Sequence, residues 1–420
     1  MFEMFEIKQH FQSKSLNDIE AKIKEEIDTN LSLASLPEKA SVAITAGSRG
    51  ISNIAFILKV IVETLKEKRL NPFVVPAMGS HGGATAIGQV EVLEHLGITE
   101  ETIGAPIHSS MEVVAIGTTT KGVPVYMDQH AFNADGIIVV NRIKAHTAFR
   151  GNVESGLSKM IAIGLGKIKG ATYIHQGGAL KMAETIENVS KVALNHSPIL
   201  FGLAIIESGY DETADIIGVS KNEWHKRESE LLTWSKEMMP SLPVEDVDLL
   251  IVEEMGKCFS GTGMDPNIIG RWRIEGVPEP ESPRIKRIAV MDLAEQSFGN
   301  AQGVGLADFM TEKLYNKIDR ISTYTNALTS TYLQRAMFPF IYKSEKEVIN
   351  TAIRSLGPEI DYEKLKVIQI PNTLHLGRVL VSKRIIKELE ELNKSFEIVR
   401  TYQLSFDEME NLAVKVTNAE

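Results

Sequence analysis

Hydrophobic and polar positions in the first half of the chain alternate between short buried strands and amphipathic helices. Ser41–Thr45 is an apolar run that predicts a strand, and the next segment has the repeat of a helix. That repeat places apolar residues at i, i+3, i+4, i+7 and i+11, namely Ile54, Ile57, Leu58, Ile61 and Leu65. Phe73–Met78 and Gly136–Asn141 predict two more strands, and a second helix runs to about Leu96, before Gly97. Strands that alternate with helices indicate a doubly wound, mostly parallel sheet.

A second series of elements follows the segment around Ser241-Leu242-Pro243. Its predicted strands and helices are Asp248–Val252, Ile285–Met291, Ala307–Lys317 (helix), Arg320–Tyr324, Glu345–Leu356 (helix), Leu365–Ile370 and Lys383–Leu392 (helix). The sequence therefore predicts two α/β domains: a Rossmann-like domain over residues 1–243 and a second α/β domain over 244–395. We expect the tail, 396–420, to return to the first domain, and the active site to lie in the cleft between the domains.

Composition narrows the class of protein. A chain of 420 residues with 43% hydrophobic and 24% charged residues can form two ordinary cores. A net charge of −10 without a Lys/Arg-rich run argues against a general nucleic-acid binder. The N-terminus lacks a continuous apolar region, and every apolar run is too short to cross a membrane. We therefore expect a soluble protein without a signal peptide and without membrane or nucleic-acid partners.

The single cysteine, Cys258, excludes an intrachain disulfide framework and a cluster of thiolate metal ligands. This composition fits a reducing cytoplasm.

Polar clusters follow three of the predicted strands. They are Ser48-Arg49, Gly79-Ser80-His81 and Lys144-Ala145-His146. Ligands of open α/β sheets bind beyond the carboxyl ends of the strands, so folding should bring these side chains toward one edge. Two histidines can exchange protons at neutral pH from opposite faces of a substrate, as inversion of a stereocentre requires. The fixed fork of Arg49 suits a carboxylate or a phosphate.

A fourth cluster is rich in glycine and lysine. It runs from Phe149 through Arg150 to Lys159, continues through Gly164–Gly170 and reaches His175. A simple anion-binding loop is one interpretation. The phosphate-loop motif of nucleotide hydrolases is absent, because no Gly-Lys-Ser/Thr occurs at the required spacing. Gly164-Leu165-Gly166 also lacks the last glycine of the dinucleotide-binding motif.

In this order and spacing, these clusters resemble the lactate racemase superfamily, whose racemases and epimerases depend on a nickel-pincer nucleotide. The resemblance covers about residues 41–178 and includes a Gly-x-x-Lys that ends at Lys159. Sixteen residues separate Lys159 from His175, which is the family's separation between the cofactor-bearing lysine and the nickel-ligating histidine.

The resemblance implies a cofactor and its ligands. Lys159 would carry pyridinium-3-thioamide-5-thiocarboxylic acid mononucleotide with nickel, and His175 would ligate the metal through its imidazole. Ser48, Arg49 and the loop amides would hold the nucleotide phosphate. Because separate biosynthetic proteins make this cofactor, a host that lacks them should yield the apo form.

The resemblance also implies an activity. His81 and His146 would be the acid/base pair for a 2-hydroxy acid, whose C2 hydride moves to the cofactor and returns to either face of the flat 2-keto intermediate. The cofactor supplies the hydride chemistry, and the protein supplies placement and acid–base groups. The implied enzyme is a racemase or epimerase.

The sequence departs from the best-known members of the family in ways that bear on the substrate. Gly156-Leu157-Ser158-Lys159 replaces the usual Gly-Gly-Arg-Lys, and Ala46 stands where an acidic residue is usual. The substrate-gripping Gln and Lys of the second domain are not evident, and Arg271 is the expected substitute. Lys144 and Arg150 add positive charge. We therefore expect a larger or more acidic 2-hydroxy acid than lactate.

Two other interpretations stay open. One is an anion-binding oxidoreductase or lyase that works without the pincer cofactor. The other is a non-catalytic cofactor-binding or storage protein. The sequence does not decide whether the chain forms a homo-oligomer.

Overall fold

The computed structural model describes residues 2–416, which divide into two compact domains. One is Gln12–Met239, and the other combines residues 2–11 with 240–416. The chain starts with strand β1 (Glu3–Gln9), which belongs to the second domain. The confirmed fold class is two α/β domains with parallel-dominated sheets.

The first domain is built on a five-stranded sheet and a separate hairpin. Its strands are β2 (Ser41–Ala46), β3 (Asn71–Pro76), β4 (Val113–Thr118), β5 (Pro124–Asp128), β6 (Gly136–Arg142), β7 (Ile199–Glu207) and β8 (Thr213–Ser220). The sheet order is β3-β2-β6-β7-β8, parallel except for β8, while β4 and β5 form the antiparallel hairpin.

The helices of this domain cover both faces of the sheet. They are α1 (Ile19–Asp28), α2 (Leu31–Ala34), α3 (Ile54–Glu67), α4 (Ala86–His95), α5 (Glu100–Ile103), α6 (Gln129–Phe132), α7 (Leu157–Lys159), α8 (Lys167–Gln176), α9 (Ala179–His196) and α10 (Trp224–Met238). A π-helical stretch, Met160–Leu165, connects α7 to the segment before α8.

Alternate side chains of β2 and β6 point to opposite faces of the sheet, as a strand requires. Ile138 packs in one core layer with α3, while Ile137 packs in the other layer with α9 and α10. Because both faces are buried, the strands read as continuous apolar runs, which explains why the sequence pattern located them.

The second domain contains one eight-stranded mixed sheet. After β1, its strands are β9 (Asp246–Met255), β10 (Arg284–Leu293), β11 (Phe309–Thr311), β12 (Phe340–Tyr342), β13 (Val367–Ile370), β14 (Arg378–Ser382) and β15 (Phe396–Gln403). The order is β12-β11-β10-β9-β13-β14-β1-β15, parallel from β12 to β13 and antiparallel beyond.

In the described part of this domain, five helices accompany the sheet. They are α11 (Pro266–Ile269), α12 (Glu312–Asn316), α13 (Arg320–Ser330), α14 (Glu345–Arg354) and α15 (Lys383–Glu391). Within residues 2–416, no helix is both long enough and apolar enough to cross a membrane.

Four sequence predictions require correction. The first domain does not begin at the N-terminus, because β1 lies in the sheet of the second domain. The tail does not return to the first domain, because β15 pairs with β1 at the edge of the second sheet; residues 417–420 of that prediction lie outside the described part. Arg320–Tyr324 is not a strand, because Asp319 caps a helix there by accepting from the N–H groups of Ile321 and Ser322. The helix predicted over Ala307–Lys317 is instead the short strand β11 followed by α12.

Candidate functional site

The candidate site lies at the carboxyl ends of β2, β3 and β6. After β2 the chain goes to β3 on one side, and it later returns to β6 on the other side of β2. Such a reversal of strand order opens a crevice at the carboxyl ends of the two inner strands. The predicted clusters at Ser48, His81 and His146 follow these three strands, so the topology collects them at one edge.

Ser48 and His81 are joined by a short hydrogen bond between Ser48 Oγ and His81 Nδ1. This contact connects the loop after β2 with the loop after β3. His81 is exposed and precedes a tight turn in which Gly82 has a φ of +64°. A Cβ at Gly82 would lie 2.5 Å from the carbonyl carbon of Gly88, so the turn requires glycine both for its backbone angle and for space. The glycine-rich loop therefore serves to present His81.

Arg49, Lys159 and His175 form a cluster of basic groups. Loss of hydration within the surrounding protein lowers the pKa of all three side chains, although Arg49 and His175 are exposed and Lys159 is half-buried. Repulsion by a neighbouring positive charge lowers each pKa further. Arg142 acts in this way on Arg49, Arg49 acts on Lys159, and Lys159 acts on His175. In the structure, these three side chains are therefore close enough for their charges to interact, whereas the sequence showed only their order along the chain.

The Lys159 amine has a pKa of about 7, well below its ordinary value of 10.5. Burial is the larger cause, and repulsion by Arg49 is the second. Among residues 2–416, neither the Arg49 guanidinium nor the Lys159 amine has a hydrogen-bond or ion-pair partner. Arg142, in contrast, forms an ion pair with Glu207.

A buried carboxylate holds the backbone on which Lys159 sits. Glu228 of α10 accepts hydrogen bonds from Ser158 N (3.0 and 3.1 Å) and Ser158 Oγ, and Trp224 Nε1 donates to the same Oγ at 3.2 Å. Gly156 cannot cap α7 with a side chain, so the carboxylate serves the N-terminal N–H groups instead. Burial raises the pKa of Glu228 to about 7.

Sequence reasoning missed Glu228, although a signal was present. The buried face of α10 repeats at helical spacing through Trp224, Glu228, Leu231 and Leu232. A glutamate in a position that the periodicity assigns to the core must have a buried partner.

His146 is held by a second buried carboxylate, that of Glu154. The backbone N–H of His146 donates to Glu154 Oε2 at 2.6 Å, and Lys236 Nζ donates to Oε1 at 2.7 Å. The ring stacks on Phe149 with centroids 4.1 Å apart. Ala148 N donates to His146 Nδ1 at 3.1 Å, so the neutral ring carries its proton on Nε2.

The three predicted substrate-binding cations have different surroundings. Lys144 pairs through its backbone with Ser155 at the start of the segment that leads to Lys159, and its amine has no partner among the described residues. Arg150 donates to the His146 carbonyl at 2.6 Å and lies 3.5 Å from Glu154, so it supports the His146 loop.

Arg271 does not have the surroundings of a substrate ligand. It is buried in the second domain, where Nη1 donates to Asp308 Oδ1 at 2.8 Å and to the Leu306 carbonyl at 3.2 Å. Nη2 donates to the carbonyls of Ile285 and Lys286, both at 3.1 Å. Since these acceptors occupy the guanidinium, the structure gives Arg271 a structural role.

The described residues contain no group of three His, Cys, Asp or Glu side chains placed to hold a metal ion. A metal bound beside His175 would therefore need further ligands from a bound molecule.

Comparison with known proteins found one matching family model and similar solved structures. Residues 5–186 match the family model described as the lactate racemase N-terminal domain. No curated protein sequence matches significantly. A crystal structure of a Thermotoga maritima protein from a structural genomics consortium matches with a TM-score of 0.51 and 13% identity, over 87% of this chain and 98% of that one.

The lactate racemase apoprotein from Thermoanaerobacterium thermosaccharolyticum also matches with a TM-score of 0.51 and 13% identity, over 88% of this chain and 98% of that one. At this level of identity, the structural likeness concerns the fold.

Proposed function

We propose that this chain belongs to the lactate racemase superfamily, whose N-terminal domain model matches residues 5–186, and that it is an isomerase that inverts the hydroxyl-bearing C2 of a 2-hydroxy acid. In this proposal the enzyme is a racemase or epimerase that uses a nickel-pincer nucleotide tethered to Lys159. The match to the lactate racemase N-terminal domain supports racemase or epimerase activity at the level of the family. The nickel cofactor, the paired histidines and the substrate class are the finer parts of the proposal.

One observation carries this proposal: two cations lie close together without an acidic partner. Arg49 repels Lys159 strongly enough to lower the pKa of its amine, and the described residues offer no carboxylate to either group. Like charges in a partly desolvated position are unfavourable unless an anion binds between or beside them. A nucleotide phosphate supplies such an anion, and Arg49 would bind it, assisted by Ser48 and the loop amides.

The state of two side chains also fits the cofactor. An amine forms an amide-type bond only in its neutral form, and a pKa of about 7 makes that form abundant for Lys159. A histidine ligates nickel through a neutral ring nitrogen. The lowered pKa of His175, caused by burial and by Lys159, favours this form.

The bound cofactor would supply a centre that accepts hydride from C2 and returns it. The protein's part is to move the hydroxyl proton, and the two histidines are suited to different halves of that task. His146 in its neutral form holds a proton on Nε2, because Nδ1 accepts from Ala148 N. His81 presents a basic Nε2 when its Nδ1–H donates to Ser48 Oγ. His81 can therefore start as the base, while the Nε2–H of neutral His146 can donate a hydrogen bond to the substrate oxygen; His146 would act as an acid only as an imidazolium.

For the substrate, we propose a 2-hydroxy acid larger or more acidic than lactate. The unpartnered amine of Lys144 is the strongest support, because it follows β6 in the same loop as His146. Arg150 contributes less, since its guanidinium already binds the His146 carbonyl.

The first test is the intact mass and nickel content of protein produced together with the cofactor-making enzymes. We expect a mass increase of one pincer nucleotide, located on Lys159, and about one nickel per chain. Lys159→Arg should abolish both, and Lys169→Arg, an exposed neighbour on α8, should change neither. An unmodified, nickel-free wild type under conditions that load a known racemase would contradict the proposal.

The second test separates catalysis from storage. The loaded protein is incubated with single enantiomers of a panel of 2-hydroxy acids, and the product is resolved by chiral chromatography. We expect His81→Gln and His146→Gln to retain nickel and lose isomerisation. Loading without isomerisation in the wild type would favour a storage protein, and activity without loading would favour an oxidoreductase or lyase.

A further inference from the structure

Lys167 is a buried lysine for which the proposed reaction has no use. Its side chain is fully buried at the start of α8, and its ammonium donates to the Pro76 carbonyl at 2.6 Å and to Gln89 Oε1 at 2.9 Å. Asp128 Oδ2 lies 3.3 Å away. The glycine- and lysine-rich pattern suggested an anion-binding loop, but these contacts show that the Lys167 side chain lies in the protein interior.

Gln89, which accepts a hydrogen bond from Lys167, also donates hydrogen bonds to the loop that carries His81. Its Nε2 donates to the carbonyl of Gly79 at 3.0 Å and to that of His81 at 3.4 Å. Gln89 is fully buried on α4. One lysine and one glutamine therefore connect the end of β3, the His81 loop and the first residue of α8.

The arrangement is energetically demanding. Lys167 has a φ of +52°, in the left-handed region that non-glycine residues rarely adopt. Burial lowers the pKa of its amine, which reflects the desolvation of the charged form. Strained backbone and buried charge persist where the surrounding structure requires them, and functional sites are where they concentrate.

We propose that Lys167 and Gln89 are positioning residues that set the placement of His81 relative to His175. His175 lies on the same helix, α8, that Lys167 begins, so an anchor at Lys167 fixes that helix against the His81 loop. This inference rests on the proposed function, because it assigns roles to those two histidines. Its geometry, however, can be tested without the cofactor.

The decisive variant is Gln89→Glu. A carboxylate at this position still accepts from Lys167 but has no N–H to donate to the Gly79 and His81 carbonyls, so the contact with Lys167 stays and the loop is released. Glu94→Gln, an exposed amide–carboxylate exchange on the same helix, is the matched control. Lys167→Met, with Lys169→Met as its control, removes the anchor by a second route if Gln89→Glu does not fold.

Two readouts are measured on each variant. The first is the carbethoxylation rate of each histidine in apoprotein, located by peptide mass spectrometry. We expect Gln89→Glu to raise the rate of His81 severalfold and leave that of His146 unchanged, in a protein that still unfolds cooperatively. The second is the steady-state kinetics of loaded enzyme, in which kcat should fall at least about tenfold at little-changed KM, because misplacement by about 1 Å acts on the reacting geometry.

The outcomes separate this inference from the proposed function. An unchanged His81 rate in both variants, or equal changes in His81 and His146, would overturn the positioning role even if the enzyme isomerises hydroxy acids. A selective change in His81 supports positioning even if the wild type has no isomerase activity, in which case only the proposed function fails.

Discussion

The Lys159 amine provides the sharpest quantitative prediction. With a pKa of about 7, about half of the chains carry a neutral amine at pH 7. At the ordinary value of 10.5, that fraction would be about 1 in 3000. The protein therefore increases the population of the nucleophilic form by more than about a thousandfold.

Trace acetylation measures this population directly. Apoprotein is labelled with a substoichiometric amount of acetic anhydride between pH 5 and pH 11, digested, and quantified peptide by peptide. The rate at Lys159 should rise with pH and level off just above pH 7. Lys169, exposed ten residues along the chain, is the internal reference in the same digest.

Arg49→Gln tests the cause of the shift. Repulsion by Arg49 is the smaller cause and burial the larger, so the midpoint should move above 7 but remain below 10.5. Arg150→Gln removes a cation that is not among the causes of the lowered Lys159 pKa, and it should leave the midpoint unchanged. A Lys159 profile that parallels Lys169 up to pH 10, or a midpoint that does not respond to Arg49→Gln, would refute the reasoning.

Two further predictions concern stability. The folded state raises the pKa of Glu228 from 4.5 to about 7, so the stability that its protonation contributes is present below pH 4.5 and is lost as the pH rises through 7. The difference between the Tm of the wild type and that of Glu228→Gln should therefore fall between pH 5 and pH 7.5. A difference that does not depend on pH would contradict this prediction. Arg271→Met should lower the free energy of unfolding by about 2 kcal/mol, since it removes a charged hydrogen bond to Asp308, without changing the Lys159 labelling midpoint; a shifted midpoint would contradict its structural role.

The sequence predicted best those elements whose pattern is local. Every residue of β2 after Ser41 is buried, so an unbroken apolar run identified the strand to within one residue. β15 could not be identified in this way, because it is an edge strand with mostly exposed side chains and is fixed by pairing with β1 at the other end of the chain. The segment from Arg320 was misread because Ile321 and Thr323 favour strands, whereas the Asp319 cap favours a helix.

The residues of the candidate site also differ in how well the sequence predicted them. Groups with evident chemistry at strand ends, such as His81 and Arg49, could be read from the sequence because topology alone brings them to one edge. Residues that support them are polar side chains in core positions, and a pattern search assigns such positions to packing. Arg271 was misassigned for the opposite reason. Its charge suggested a substrate ligand, but its guanidinium is already paired with Asp308 of the same domain.

The supporting residues follow one physical rule. His146 depends on Glu154, Lys159 on Ser158 and Glu228, and, as we propose, His81 on Gln89 with Lys167. These supports include a fully buried carboxylate or ammonium in each case. A buried charge is tolerated only when its hydrogen bonds are satisfied, and a half-satisfied network is worse than an apolar core. Each support is therefore tied to one backbone geometry, which makes these positions more restrictive than the exposed reactive groups. A chain that shared this fold but not the site could replace them with apolar residues at little cost in stability.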